Sequence, residues 1–212
     1  MELLKGHSKH SSENSEDELQ KVADGFGPVL IRDYWTVIRN SRLRPSEIMD
    51  LVAHKFPEFA PDSLCLFAQD QGKEGRLSVG DILHIRIRMA AHCQVRVLGH
   101  DKSSITLGTL KGHPEAGKIT FGAYRNPHGD VIFHIRSRAR SKDALTYLGF
   151  TTVGDPMQTN TWTEFVDRVA LTVGDGPMKA IHADLSVVRG EEAEKITRED
   201  DDESPTFIAQ GD

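Results

Sequence analysis

Cysteine is scarce: Cys65 and Cys93 are the only two in 212 residues. Two thiols cannot build a disulfide framework. Neither sits in the CxxC or CxxxxC spacing of a zinc site, so both read as small buried apolar side chains. No apolar run approaches the roughly 20 residues of a membrane span. Met1 to Gln20 also lacks the apolar stretch of a secretory signal, which sets the expectation of a soluble, cytoplasmic protein. The ten histidines contain no HExxH pair, and the chain has neither a GxSxG elbow nor a Walker loop, since Gly72-Lys73-Glu74-Gly75 lacks the GK[ST] ending. The usual markers of metal, serine-hydrolase and nucleotidase chemistry are missing, and neither a metal nor a cofactor is expected.

Acidic charge is present but unevenly placed. The net charge is -6, yet residues 1–25 hold three Lys/Arg against six Asp/Glu and residues 174–212 hold four against eleven, leaving nineteen against fifteen between them. A mildly basic body therefore sits between acidic ends. Residues 1–25 and 176–212 are expected to be mostly disordered tails, too polar to offset their ordering entropy. The self-repelling run Glu199 to Glu203 adds to that. Apolar residues between Met178 and Val188 leave room for one short packed element.

Within 26–175 the pattern is structured. Val29 to Arg39 is rich in β-branched and aromatic residues and predicts a first strand. Pro45 suits a first helical position, Glu47 lies in the first turn, and Ile48, Leu51, Val52 and Phe56 recur at helical spacing until Pro57, where the run is expected to halt. A helical turn around Phe59 and a strand near Leu64 to Ala68 follow. The period then becomes two. Leu83, Ile85, Ile87 and Met89 alternate with His84, Arg86 and Arg88; Cys93, Val95 and Val97 with Gln94 and Arg96; Val131, Phe133 and Ile135 with His134, Arg136 and Arg138. With strands over 103–110 and 118–124 and a turn at Pro127 to Asp130, these make an antiparallel meander with one apolar and one basic face.

Thr161 and Glu164 fit a T-x-x-E capping box ahead of Trp162, Phe165, Val166, Val169 and Val173, with Gly174 as a stop. The stripe of that late helix and the apolar face of the sheet have only each other to bury against. The fold class expected is α+β, a helix-grip: a curved antiparallel sheet wrapped around a long carboxy-terminal helix, with short helices after the first strand.

Leu107 to Phe121 reads LGTLKGHPEAGKITF. Thr109, Leu110, Gly112, His113, Pro114, Glu115 and Gly117 resemble the TLxGHPExGE hallmark of the domain-of-unknown-function family nineteen-ninety. The stretch 129–135 and the late helix, with Gln158 ahead of Trp162, are similar to that family's following elements. Leu107 and Lys118 depart from it, since the family commonly has an aromatic and an acid there. The resemblance implies a place among the START-like or polyketide-cyclase-like helix-grip proteins, whose sheet and late helix enclose a cavity used for apolar ligands in many members and for catalysis in a few. As fold analogy, it leaves the chemistry open.

Pro114 restricts its neighbours, while Gly112 and Gly117 let the chain turn, so His113 and Glu115 are expected in a rigid loop at one end of the sheet. Two uses stand side by side: acid–base work or ligand anchoring, and hydrogen bonds to backbone in a tight connection. The ligand-binding candidates are His113, Glu115, Gln158, Trp162, Phe165, Phe133, Tyr34 and Trp35, the aromatics being either pocket wall or core. The function expected is non-covalent binding of a small, largely apolar molecule between sheet and helix. One alternative is a cyclase or hydratase in the same cavity, with His113 moving a proton and Glu115 orienting it. The other is an interaction module on the basic face, although that face has no interleaved aromatics and is not expected to bind nucleic acid. No oligomeric state is specified.

Overall fold

The computed structural model describes residues 19–62, 65–69, 75–87, 91–149 and 155–200. Arg88, Met89, the glycine loop at 72–74 and the chain ends 1–18 and 201–212, for which expectations were set above, lie outside the described residues. A 3-10 turn at Val22–Asp24 leads into β1 (Phe26–Val37), α1 (Pro45–Phe59), β2 (Cys65–Gln69), β3 (Ile82–Ile87), β4 (Ala91–His100) and β5 (Ser104–Thr109). β6 (Glu115–Arg125), β7 (Val131–Ser141), α2 (Ala144–Gly149), α3 (Asp155–Val173), β8 (His182–Val188) and α4 (Gly190–Asp200) complete the chain. The strands form one antiparallel sheet in the order β2-β3-β4-β5-β6-β7-β1-β8.

The alternation decides which face is filled. Leu83, Ile85, Cys93, Val95, Leu107, Phe121, Phe133 and Ile135 line the concave face, where they share one buried core with Ile48, Val52 and Phe56 of α1 and Phe165, Val166, Val169 and Val173 of α3. Each fully buried apolar side chain of this kind contributes about 1.5–3 kcal/mol. The sheet thus curves around α3, the α+β helix-grip architecture. Among the described residues no helix is long and apolar enough to cross a membrane.

Three boundaries differ from expectation. Pro57 bends α1 instead of ending it: Lys55 leaves the helical region (φ -122°, ψ 23°) and the chain resumes to Phe59, because a proline ring removes one N–H and crowds the preceding turn. α3 begins at Asp155, ahead of the capping box at Thr161. Pro156 stands in its first turn, where a missing N–H costs no helical bond, and Thr161 Oγ1 donates within the helix to the Met157 carbonyl (2.9 Å).

The third correction concerns the carboxy-terminal segment: a short packed element does form over 182–188, as β8, but 190–200 is a docked helix and not a tail. β8 pairs with β1 from Val29↔Val188 to Trp35↔His182. α4 lies on the outer face of the sheet, where Ala193 and Ile196 join Val22, Val29 and Val188 in a second, smaller core. Its acidic charge meets counter-charge there: Lys118 pairs with Asp200 at 3.3 Å, both side chains 5% exposed. Arg140 Nη2 donates to Thr197 Oγ1 (3.3 Å), tying the same helix to β7.

Where β1 meets β7, the basic face is not a free cationic stripe. Asp33 sits within it and accepts from both His134 Nε2 and Arg136 Nε at 2.6 Å. Burial pushes the Asp33 carboxyl up, but the two hydrogen bonds and the neighbouring positive charge outweigh it and hold it below the usual range.

Candidate functional site

The Gly112-His113-Pro114 connection joins β5 to β6 and is held from outside the hairpin. Gln20 Nε2 donates to the carbonyls of His113 (2.9 Å) and Glu115 (2.8 Å), and Gly112 N donates to Gln20 Oε1 (3.3 Å). Gly117 N donates to the Gln20 carbonyl (2.9 Å), which also accepts from Thr109 Oγ1 (2.8 Å). Gly117 has φ +150°, and a Cβ there would stand 2.1 Å from the Arg138 carbonyl oxygen, so only glycine fits. Much of the TLxGHPExG pattern is therefore backbone requirement.

Glu115 is not a loop residue as expected; it opens β6 and turns its side chain to the concave face. Arg32, on β1, reaches it across β7: Arg32 Nη1 donates to Glu115 Oε1 at 2.9 Å, the residues being 2% and 6% exposed. Ser137 and Ala139 on the intervening strand are small enough to let the guanidinium pass. Gln158 Nε2, from α3, donates to Glu115 Oε2 at 2.5 Å. The carboxylate is thus engaged on both oxygens by partners from two other elements.

His113 does not meet that carboxylate. Its Nδ1 lies 3.0 Å from both the amide nitrogen and the carbonyl oxygen of Glu115. The N–H can only donate, and the carbonyl already accepts from Gln20, so Nδ1 is assigned as the acceptor and the ring proton to Nε2. Burial lowers the imidazole's pKa below 6.5 despite the opposing field of the Glu115 carboxylate, which favours a neutral ring. The expected dyad, with Glu115 orienting a proton-shuttling His113, is not formed: the contact between them runs through the Glu115 backbone.

Beside this group, between the concave face and the first turns of α3, lies a pocket of about 350 Å³. Its wall is apolar over Phe67, Ile85, Ile87, Leu107, Ile119 and Trp162, and polar where His113, Glu115, Gln158, Ser137 and Thr161 stand. Of the candidate residues the structure brings His113, Glu115, Gln158 and Trp162 together on this wall. Phe133 and Phe165 pack on each other in the core (6.2 Å, 11°) and are fully buried. Tyr34 belongs to the same core, whereas Trp35 stacks on His182 on the opposite face (3.9 Å, 2°). Neighbouring strand residues cannot share a face, so Tyr34 and Trp35 could never both line one pocket.

Sequence reasoning missed Arg32, Ser137 and Cys65. Arg32 did leave a signal: it falls in phase with Leu30 and Tyr34 on the apolar face of its strand, where a charge demands a buried partner. Cys65 lines the pocket, but burial pushes its thiol up to about 11, and that of Cys93 to about 12, so neither is an activated nucleophile. Among the described residues no three His, Cys, Asp or Glu side chains converge as a metal site would require.

The family model described as "Domain of unknown function (DUF1990)" matches residues 55–169. No curated protein matches the chain. Among solved structures, norcoclaurine synthase from Thalictrum flavum in complex with dopamine and hydroxybenzaldehyde aligns at 10% identity and TM-score 0.49, over 82% of this chain and 95% of that one. The di-domain ARO/CYC StfQ from the steffimycin biosynthetic pathway aligns at 15% identity and TM-score 0.47, over 77% of this chain and 54% of that one. Ginseng major latex-like protein 151 from Panax ginseng aligns at 17% identity and TM-score 0.37, over 62% of this chain and 96% of that one.

Proposed function

The chain belongs to the DUF1990 family of domains of unknown function, and for this member we propose non-covalent binding of a small, largely apolar molecule in the pocket between the sheet and α3. The observation that carries the reading is the pocket itself. Its volume of about 350 Å³ falls in the usual range for small-molecule sites, roughly 300–1,000 Å³. Its wall combines a continuous apolar surface with a few fixed polar groups clustered around Glu115. The ion pair with Arg32 and the hydrogen bond from Gln158 hold that cluster in place, so little ordering entropy remains to be lost on binding.

Titration of the full chain with the apolar fluorophore N-phenyl-1-naphthylamine tests this. Saturable binding is expected to the unaltered protein, and at least about tenfold weaker binding to Ile119→Trp, which fills the pocket, a loss of about 1.4 kcal/mol. Equal binding to both proteins, or none to the unaltered one, overturns the reading.

A further inference from the structure

The pocket wall carries two buried polar atoms, Gln158 Oε1 and Ser137 Oγ, that make no hydrogen bond among the described residues. Gln158 is not free to turn. The Glu115 carboxylate only accepts, so the amide must present Nε2 to it, and Oε1 is left as an acceptor inside a mostly apolar wall. Ser137 stands on β7 in register with Arg32 on one side and Ile119 on the other, on the concave face that Glu115 shares. Both atoms therefore border the Arg32–Glu115–Gln158 chain. A buried polar group left without a partner forfeits its hydration with no return, and two on one pocket wall mark the place where a ligand's own polar group would be satisfied.

We infer that the ligand is an apolar molecule bearing a hydroxyl group, whose O–H donates to Gln158 Oε1 and whose oxygen accepts from the Ser137 hydroxyl. This rests on the pocket reading above and narrows it. An ether or ketone offers nothing to Oε1. A carboxylate would set a second acceptor and a second negative charge beside Glu115. A hydroxyl is the smallest group that both gives and takes a hydrogen bond, and it serves both atoms at once.

The test is a matched pair of probes, 2-naphthol and 2-methoxynaphthalene, titrated into the full chain at neutral pH in competition with N-phenyl-1-naphthylamine. They share an apolar body and differ in the donor. 2-Naphthol is expected to bind at least about tenfold tighter, the preference that a single buried unmet acceptor can impose. Ser137→Ala removes a donor that the oxygen of either probe can accept, and is expected to weaken both by a similar factor while leaving the preference within about twofold. Gln158→Met is expected to abolish the preference, with the melting temperature of each variant measured alongside. Equal affinity of the two probes for the unaltered protein overturns the inference and leaves the pocket reading standing. Failure of both probes and of the fluorophore to bind removes the pocket reading, and the inference with it.

Discussion

Replacing Arg32 by Met tests the chain of contacts that shapes the pocket. In the folded protein its guanidinium is 2% exposed and lies 2.9 Å from a Glu115 oxygen. Met matches the apolar stem but leaves the carboxylate, 6% exposed, with Gln158 Nε2 as its remaining side-chain donor. Removing one member of a buried ion pair costs about 3–5 kcal/mol, mostly because the other charge is stranded. The retained Gln158 bond argues for the lower end. For a chain of this size that is a fall in melting temperature of about 6–20 °C. Urea unfolding of Arg32→Met, Glu115→Gln and the double variant at pH 7 gives the cycle, and a coupling of about 2–3 kcal/mol is expected, at the upper end for contacting residues. A double variant no more stable than the sum of the single losses allows, with coupling below about 0.5 kcal/mol, would show that the pair is incidental and refute the reasoning.

Other predictions follow from single contacts. Unfolded, His113 titrates near its ordinary 6.5, and folded it titrates lower. Its contribution is therefore complete above pH 6.5 and lost as the pH falls from there through the folded value. The stability advantage of the unaltered protein over His113→Asn should shrink between neutral pH and pH 5 in thermal melts, and a constant difference would contradict the burial argument. Gly117→Ala should destabilise by more than about 2 kcal/mol, since it combines a disallowed backbone with a backbone clash; chemical denaturation measures it, and a change below about 0.5 kcal/mol would be inconsistent with the β6–β7 register. Ile196→Ala should cost about 2 kcal/mol if α4 is docked as described and nearly nothing if 190–200 were a solvated tail, a difference that urea midpoints resolve.

What the sequence disclosed depended on whether the signal was local. The alternation through Leu83, Ile85 and Val95 and through Val131, Phe133 and Ile135 fixes a face at each strand, so the meander and its gripped helix were readable. α4 was not. Ala193 and Ile196 stand three apart, but two apolar residues amid acids look like a solvated run until Val22, Val29 and Val188 are known to need a cover. Helix starts misled for a related reason: Thr161 and Glu164 match a cap by type, yet Thr161 finds an acceptor one turn back, inside a helix already begun. At the site, His113, Glu115 and Gln158 stood out by motif or position, while their geometry did not. Arg32 and Glu115 lie 83 residues apart and meet only because β7 separates their strands in the sheet. No pattern in the chain reports such a pairing, though an arginine in phase with Leu30 and Tyr34 announces that one must exist.

The central claim is that the cavity under α3 holds a ligand, and methyl-resolved NMR of the full chain during titration with N-phenyl-1-naphthylamine tests it most directly. The account predicts saturable shifts confined to the methyl groups of Ile85, Ile87, Leu107 and Ile119, which line the pocket, with Val22, Val188 and Ile196 under α4 unmoved. Shifts centred on Leu185 and Val187, which are exposed on β8, or no saturable change at all, would contradict it.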